Sequence, residues 1–262
     1  MDRLNALALR GYRQLYPGAR RTGMSLGGFV TSGFPRAVRA EARLLAVSAA
    51  LSMGVGLLAG WMVTRWPDLV YSFLGPDQVR MMEEMYDPGS DHFLRPRDSD
   101  SDVLMFGYYI RNNIGISFRV FAGGMLCGLG SIFFLFYNGL TIGAVAGHLT
   151  RIGFGGTFWP FVIGHSAFEL TAIVLSGQAG LMMGRAMLWP RRRTRSRALA
   201  ETATEALPIV YGFAGMLLLA AGLEAFWSSS ALVPSDVKIL VGSALWCSVI
   251  AYFALAGRSR GP

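Results

Sequence analysis

From Arg111 to Leu188 the chain is apolar and rich in glycine, yet it carries Asn112, Asn113, Arg119, Asn138, His148, His165 and Glu169. A charged side chain at the centre of a bilayer costs about 2.5–3.5 kcal/mol on insertion scales, so such groups are buried against one another or line a polar cavity. Gly139-x-x-x-Gly143-x-x-x-Gly147 and Gly180-x-x-x-Gly184 have the small-residue spacing that lets membrane helices touch backbone to backbone. Few folds satisfy both demands. The expectation is an all-α, polytopic membrane bundle of about six transmembrane helices with a polar interior.

Composition agrees. With 53% hydrophobic residues, 15% charged residues and a mean hydropathy of +0.42, the chain falls outside the soluble globular class. A net charge of +8 alone would admit nucleic acid as a partner. Here the basic residues form short blocks beside apolar segments, where they set topology and contact anionic lipid, and no aromatic-basic platform accompanies them. Nucleic-acid binding is therefore not expected. Cys127 and Cys247 both fall in apolar segments and read as packing residues, not as a disulfide or metal pair. The first 43 residues contain no continuous apolar core of the signal-peptide kind.

Residues 1–43 hold eight arginines against Asp2 and Glu41, with Leu4, Leu7 and Leu15 near one another on a helix, and read as a basic amphipathic cytoplasmic segment. The membrane domain is expected over 44–256. Its first helix, 44–63, is twenty uncharged residues, enough to cross the ~30 Å hydrocarbon core at about 1.5 Å per residue. Over 64–109 acidic residues and prolines dominate, as in a loop on the outer face, with a short surface helix over 77–86. Asp98-Ser-Asp-Ser-Asp102 lacks the glycine and terminal glutamate of an EF-hand loop, so no calcium is expected there. Further helices are read at 110–129, 131–150, 158–188, 207–227 and 238–256, with Gly128-Leu-Gly130 as a tight turn and a cytoplasmic tail at 257–262. Arg191, Arg192, Arg193, Arg195 and Arg197 form the densest basic block. Only six crossings put every basic block on one side, which places the chain in the inner membrane with both termini cytoplasmic.

That topology gathers the polar side chains towards the outer half: Asn112, Asn113, Arg119, His148, His165, Glu169 and Glu224, with Asn138 deeper on the cytoplasmic side. Arg119 and Glu169 are expected at similar depth as a buried ion pair, and His165 shares a helical face with Glu169. His148, His165 and Glu169 or Glu224 could supply metal ligands, but no His-Glu-x-x-His is present and every spacing is long, so no metal or other cofactor is assigned. Ser166 follows His165 directly, and helical neighbours point about 100° apart, so this His cannot activate this Ser; no catalytic residue is assigned. Two roles stay open for the cluster: pinning helices together, or relaying a proton or ion. The glycines at 139, 143, 147, 180 and 184 outnumber what one small bundle needs, which points to a homodimer.

Ile110-Arg-Asn-Asn-Ile114, Phe136 to Gly147, Trp159 to Ile173, Gly177 to Gly184 and Ala221 to Phe226 together resemble the stage II sporulation protein M family over roughly residues 106–240, and Leu4 to Tyr16 does so loosely. The resemblance matches Asn112, Asn113, Asn138, Gly139, His165, Glu169 and Glu224. It implies an integral membrane component of cell-envelope (peptidoglycan) remodelling in bacterial sporulation, acting with cell-wall hydrolases and not itself an enzyme. Similar proteins outside sporulation often stand beside MoxR-type ATPases. This chain departs from the pattern at Ser166 and Gln178, where the family usually has glycine. A non-enzymatic assembly or anchoring protein is thus expected, with a permease-like unit moving a proton, ion or lipid-linked group as the alternative.

Overall fold

The computed structural model describes residues 25–89 and 99–258, less the side chains of 99–102. The regular structure among them is helical throughout: α1 (26–40), α2 (Ala42–Arg65), α3 (Leu69–Phe73), α4 (Pro76–Tyr86), α5 (Ser99–Ala122), α6 (Leu129–Arg151), α7 (Gly155–Leu188), α8 (Arg195–Ser228) and α9 (Ser235–Leu255). Five of these, α2, α6, α7, α8 and α9, are long and apolar enough to cross a membrane. Helix α5 is as long, at 24 residues, but Arg111, Asn112, Asn113 and Arg119 keep it out of that set. It packs along α6, α7 and α8 all the same.

Helix α7 is the hub. Of its most apolar stretch 56% is buried, against 11% for α9, and it touches α5, α6, α8 and α9. The outward faces carry Leu57, Phe118, Phe133, Leu219, Leu240 and Ile250, all exposed. So much apolar surface is a liability in water and the expected complement of lipid chains.

The glycines set the helix spacing. A Cβ added to Gly139, Gly143 or Gly147 of α6 would stand 2.2, 2.0 or 2.4 Å from the backbone oxygens of Ser52, Gly56 and Gly60 on α2. These numbers rise together along both helices, so α2 and α6 run parallel. A Cβ on Gly124 would stand 2.0 Å from the Gly180 oxygen, and one on Gly184 would stand 2.5 Å from the backbone of Gly128. All five glycines that pointed to a homodimer are therefore filled by partners within the chain.

Element boundaries differ from the sequence reading in instructive ways. Helix α5 stops at Ala122 because Gly123 and Gly124 form a 3-10 turn, and the reversal is completed by Cys127 and Gly128 at φ 54° and 86°. Helix α8 starts twelve residues earlier than its apolar run, where the Thr194 hydroxyl accepts from the Arg197 N–H as an N-cap. Both cysteines are free and exposed, Cys127 in the turn and Cys247 on α9, not packed inside. The short helix expected over 77–86 is α4. The stretch read as amphipathic near residues 4–15 lies outside the described residues, as does Asp98, and the side chains of Asp100 and Asp102 are not described.

The largest correction concerns residues 26–40, expected as part of a surface segment. They form α1, which lays Phe34 and Val38 into the core against α8 and α9; Gly212 makes room, since a Cβ there would fall 2.0 Å from the Phe34 ring. Arg39 donates to the carbonyls of Phe253 and Ala256, covering the otherwise unpaired C-terminal end of α9. The break between α1 and α2 at Glu41 is held from α7: Gln178 Nε2 donates to Val38 O at 2.8 Å and Glu41 O at 3.3 Å, and Arg185 grips the Glu41 carboxylate with both terminal nitrogens. These residues, with the arginine block at 191–197, mark one end of the bundle. At the other end lie α3, α4 and the connections 152–154 and 229–234.

Candidate functional site

Close packing at the second end brings three helices together. Gly164 of α7 leaves room for Trp227, whose Cζ3 would lie 2.7 Å from an added Cβ, and Gly242 of α9 similarly admits Ile163. Helix α8 closes in a π-helical turn, Leu223–Ser228, a distortion frequent at functional sites because it re-aims side chains. Glu224 and Ser228 from that turn meet His165 and Glu169 of α7.

His165 Nδ1 lies 3.1 Å from Ser228 Oγ, and Nε2 lies 4.0 Å from Glu169 Oε2. One ligand atom each from His165, Glu169 and Glu224 fall within 4.8 Å of one another. From α5, Asn113 faces Glu224, while Asn112 Nδ2 donates to Asn113 Oδ1 at 3.1 Å. His165 and Asn113 are buried. Glu224 Oε2 and Asn113 Nδ2 are enclosed without any partner in hydrogen-bonding geometry. No Lys or Arg among the described residues stands within ion-pair distance of Glu169 or Glu224.

Above this centre, at the end that carries α3 and α4, opens a cavity of about 610 Å³ lined by Glu84, Tyr86, Tyr109, Phe161, Ser228 and Lys238, among others. Its floor touches the centre directly: the Phe161 ring packs edge-on against the His165 ring at 5.5 Å, and Ser228 bonds to it. Burial pushes the Tyr86 phenol above its ordinary value, and the nearby Glu224, Tyr109 and Glu169 act in the same direction, so Tyr86 stays protonated and able to donate. Lys238 is the chain's single lysine. Its ammonium donates to the carbonyls of Ser228 and Ser230 at 2.7 and 2.9 Å, tying α9 to the end of α8. Below Glu169 the interior is shut: Val120, Leu135, Ala172, Ile173, Leu175 and Leu217 have no exposed surface.

The profile described as stage II sporulation protein M matches residues 49–229, well over half of the chain. The chain belongs to the stage II sporulation protein M family. No curated protein and no solved structure matches it. The family match runs from within α2 to just past the π-helical turn, so it takes in Asn113, His165, Glu169, Glu224 and Ser228 and stops short of Lys238.

Of the polar residues singled out in the sequence of this stage II sporulation protein M family member, the fold unites His165, Glu169, Glu224 and Asn113, with Asn112 exposed at the edge. Arg119 does not join them. It is exposed, and its Nε donates to Gly115 O of its own helix, so the expected Arg119–Glu169 ion pair is absent. Arg119 lies beyond the reach of α7 because its neighbour Val120 takes the buried side of α5. His148 is buried but engages Glu83 of α4, Nε2 to Oε1 at 2.6 Å. Asn138 stands apart, its Oδ1 buried and unpartnered. Ser166 accepts from Trp246 Nε1 at 3.2 Å and so packs α9 onto α7. Sequence reasoning missed Ser228, Tyr86 and Lys238. The last had a readable signal, as one lysine among 24 basic residues.

Proposed function

We propose that this family member is a non-enzymatic inner-membrane protein that anchors or assembles cell-envelope remodelling components, and that it does so through the cavity over His165, Glu169 and Glu224. One observation carries the reading: the cavity at one end of the bundle abuts the polar centre through Phe161 and Ser228, and a buried apolar layer lies beneath that centre. A blind, polar-floored pocket suits recognition of a group presented from one side better than passage of a group across. The arginine block at the opposite end favours the cytoplasmic side, which turns the cavity outward, towards the envelope. The proposed unit is the single bundle, since its small-residue faces are occupied internally.

Co-purification from native bacterial membranes, with identification by mass spectrometry, tests this. Wild type should recover envelope hydrolases or a MoxR-type ATPase, and Ala231→Trp at the cavity rim should lose the hydrolases. Equal recovery with the cavity filled, or no envelope protein at all, overturns the reading. The second reading, a permease-like unit for a proton, ion or lipid-linked group, draws on the same ionisable centre. It requires the layer at Ile173 and Leu217 to open, and it would be favoured by flux through proteoliposomes that Glu169→Gln abolishes.

A further inference from the structure

We infer that His165, Glu169 and Glu224 form a binding site for a divalent transition-metal ion, Zn²⁺ by the chemistry of its donors. The three side chains come from two helices and from positions up to 59 residues apart, yet their ligand atoms lie within 4.8 Å of one another. The orientation of the imidazole is the second observation. Ser228 holds Nδ1 at 3.1 Å, so Nε2 faces the carboxylates, 4.0 Å from Glu169 Oε2. Fixing a metal-bound histidine by a hydrogen bond at its other nitrogen is the usual outer-shell arrangement. A ring nitrogen facing two carboxylates, all partly or wholly buried, calls for a proton or a cation between them, and the 4.8 Å cluster has the span to take a cation.

Among the described residues no lysine or arginine supplies a charge there. Lys238 is committed to two carbonyls, Arg119 points away, and Arg185 is held by Glu41 at the far end. Glu224 Oε2 is enclosed without a partner in hydrogen-bonding geometry, which leaves it free to take a ligand. One nitrogen and two carboxylate oxygens suit Zn²⁺ and its transition-metal neighbours, whereas Mg²⁺ and Ca²⁺ favour all-oxygen sites. Zinc–ligand distances are about 2.0–2.2 Å, so the side chains would draw inward by roughly 1 Å on binding. Three protein ligands leave a fourth position, as open zinc sites do, available to water or an anionic group entering from the cavity. The site does not depend on which partner the cavity receives.

Metal content of the full chain in detergent tests the inference without reference to any partner. Wild type, incubated with Zn²⁺ and freed of excess, should retain about one equivalent by elemental analysis, and Co²⁺ should give the visible absorption of a low-coordinate site. His165→Ala and Glu169→Gln should each weaken Zn²⁺ at least tenfold in a competition titration with a chromophoric chelator. Ser228→Ala keeps all three ligands and should weaken it about 10–100-fold. His148→Ala, outside the site, should leave binding unchanged. Folded wild type that retains no Zn²⁺ overturns the inference. So does unchanged affinity in a folded His165→Ala/Glu169→Gln double variant. Because Co²⁺ absorption is read on wild type, misfolding of a variant does not remove the test.

Discussion

Alanine at Gly143 should damage this protein far more than alanine at Gly56, although the two glycines face each other across one contact. A Cβ on Gly143 would sit 2.0 Å from Gly56 O, while a Cβ on Gly56 would sit 3.1 Å from Gly139 O. The first needs α2 and α6 to part by more than 1 Å, and both contacting surfaces are backbone, so no side chain can swing aside. Overpacking typically costs about 1–3 kcal/mol, and a clash with no flexible partner belongs at the upper end. The second needs a few tenths of an ångström, and replacing a helical glycine returns about 0.5–1 kcal/mol of backbone entropy. Gly143→Ala is therefore expected to destabilise by about 2–3 kcal/mol, some 30- to 150-fold in the folding equilibrium, and Gly56→Ala to be within about 1 kcal/mol of wild type. Unfolding in mixed micelles, followed by circular dichroism at matched detergent, measures both. Equal losses for the two variants would refute the packing argument. If Gly143→Ala abolished a cross-linked dimer while monomer unfolding stayed at the wild-type value, the glycines would be serving self-association after all.

Gln178→Leu should cost about 1–3 kcal/mol in the same unfolding assay, because the Val38 carbonyl loses its donor inside the core. Glu83→Ala leaves His148 buried without its partner, so amide exchange over 76–86 should rise while that of α7 does not. Arg119→Leu should leave folded yield unchanged, since Arg119 is exposed and pairs only with its own helix; a clear loss would mean that it reaches Glu169. Reporter fusions at Gly89 and Ser196 should report opposite sides of the membrane, and the same side for both would rule out the outward-facing cavity.

Much of the bundle was legible in the sequence because its signals are one-dimensional. Apolar runs gave the long helices, of which five and not the expected six are long and apolar enough to cross a membrane, the run at 110–129 being interrupted by its own polar residues. The gly-x-x-x-gly steps correctly marked close backbone contact, but sequence alone does not say whose backbone. The complement was present as Ser52-x-x-x-Gly56-x-x-x-Gly60, and pairing it with 139, 143 and 147 would have accounted for them without a dimer. Helix α1 was misread for a physical reason. Its arginines look solvent-bound, yet Arg36 and Arg39 spend their donors on carbonyls at the end of α9 while Phe34 and Val38 turn inward. Helical periodicity says that such a face exists, not what covers it.

The centre was half legible, and the missing half bears on function. Equal depth predicted that Arg119 would neutralise Glu169, since an uncompensated charge in the bilayer is costly. Depth fixes height along a helix but not rotation about it, and with Val120 buried Arg119 is turned outward. Elsewhere the acids are paired where pairing is available: Glu41 with Arg185, Glu201 with Arg193 and Arg197, and Glu83 with His148. Glu169 and Glu224 are the pair in the bundle's interior without a lysine or arginine partner among the described residues. They stand beside a fixed imidazole and beneath the cavity. A helix pin would be better served by an arginine at this place, and a chain with 24 basic residues has no shortage of them. Their absence from this one position is the argument for a site kept for a ligand from outside the chain.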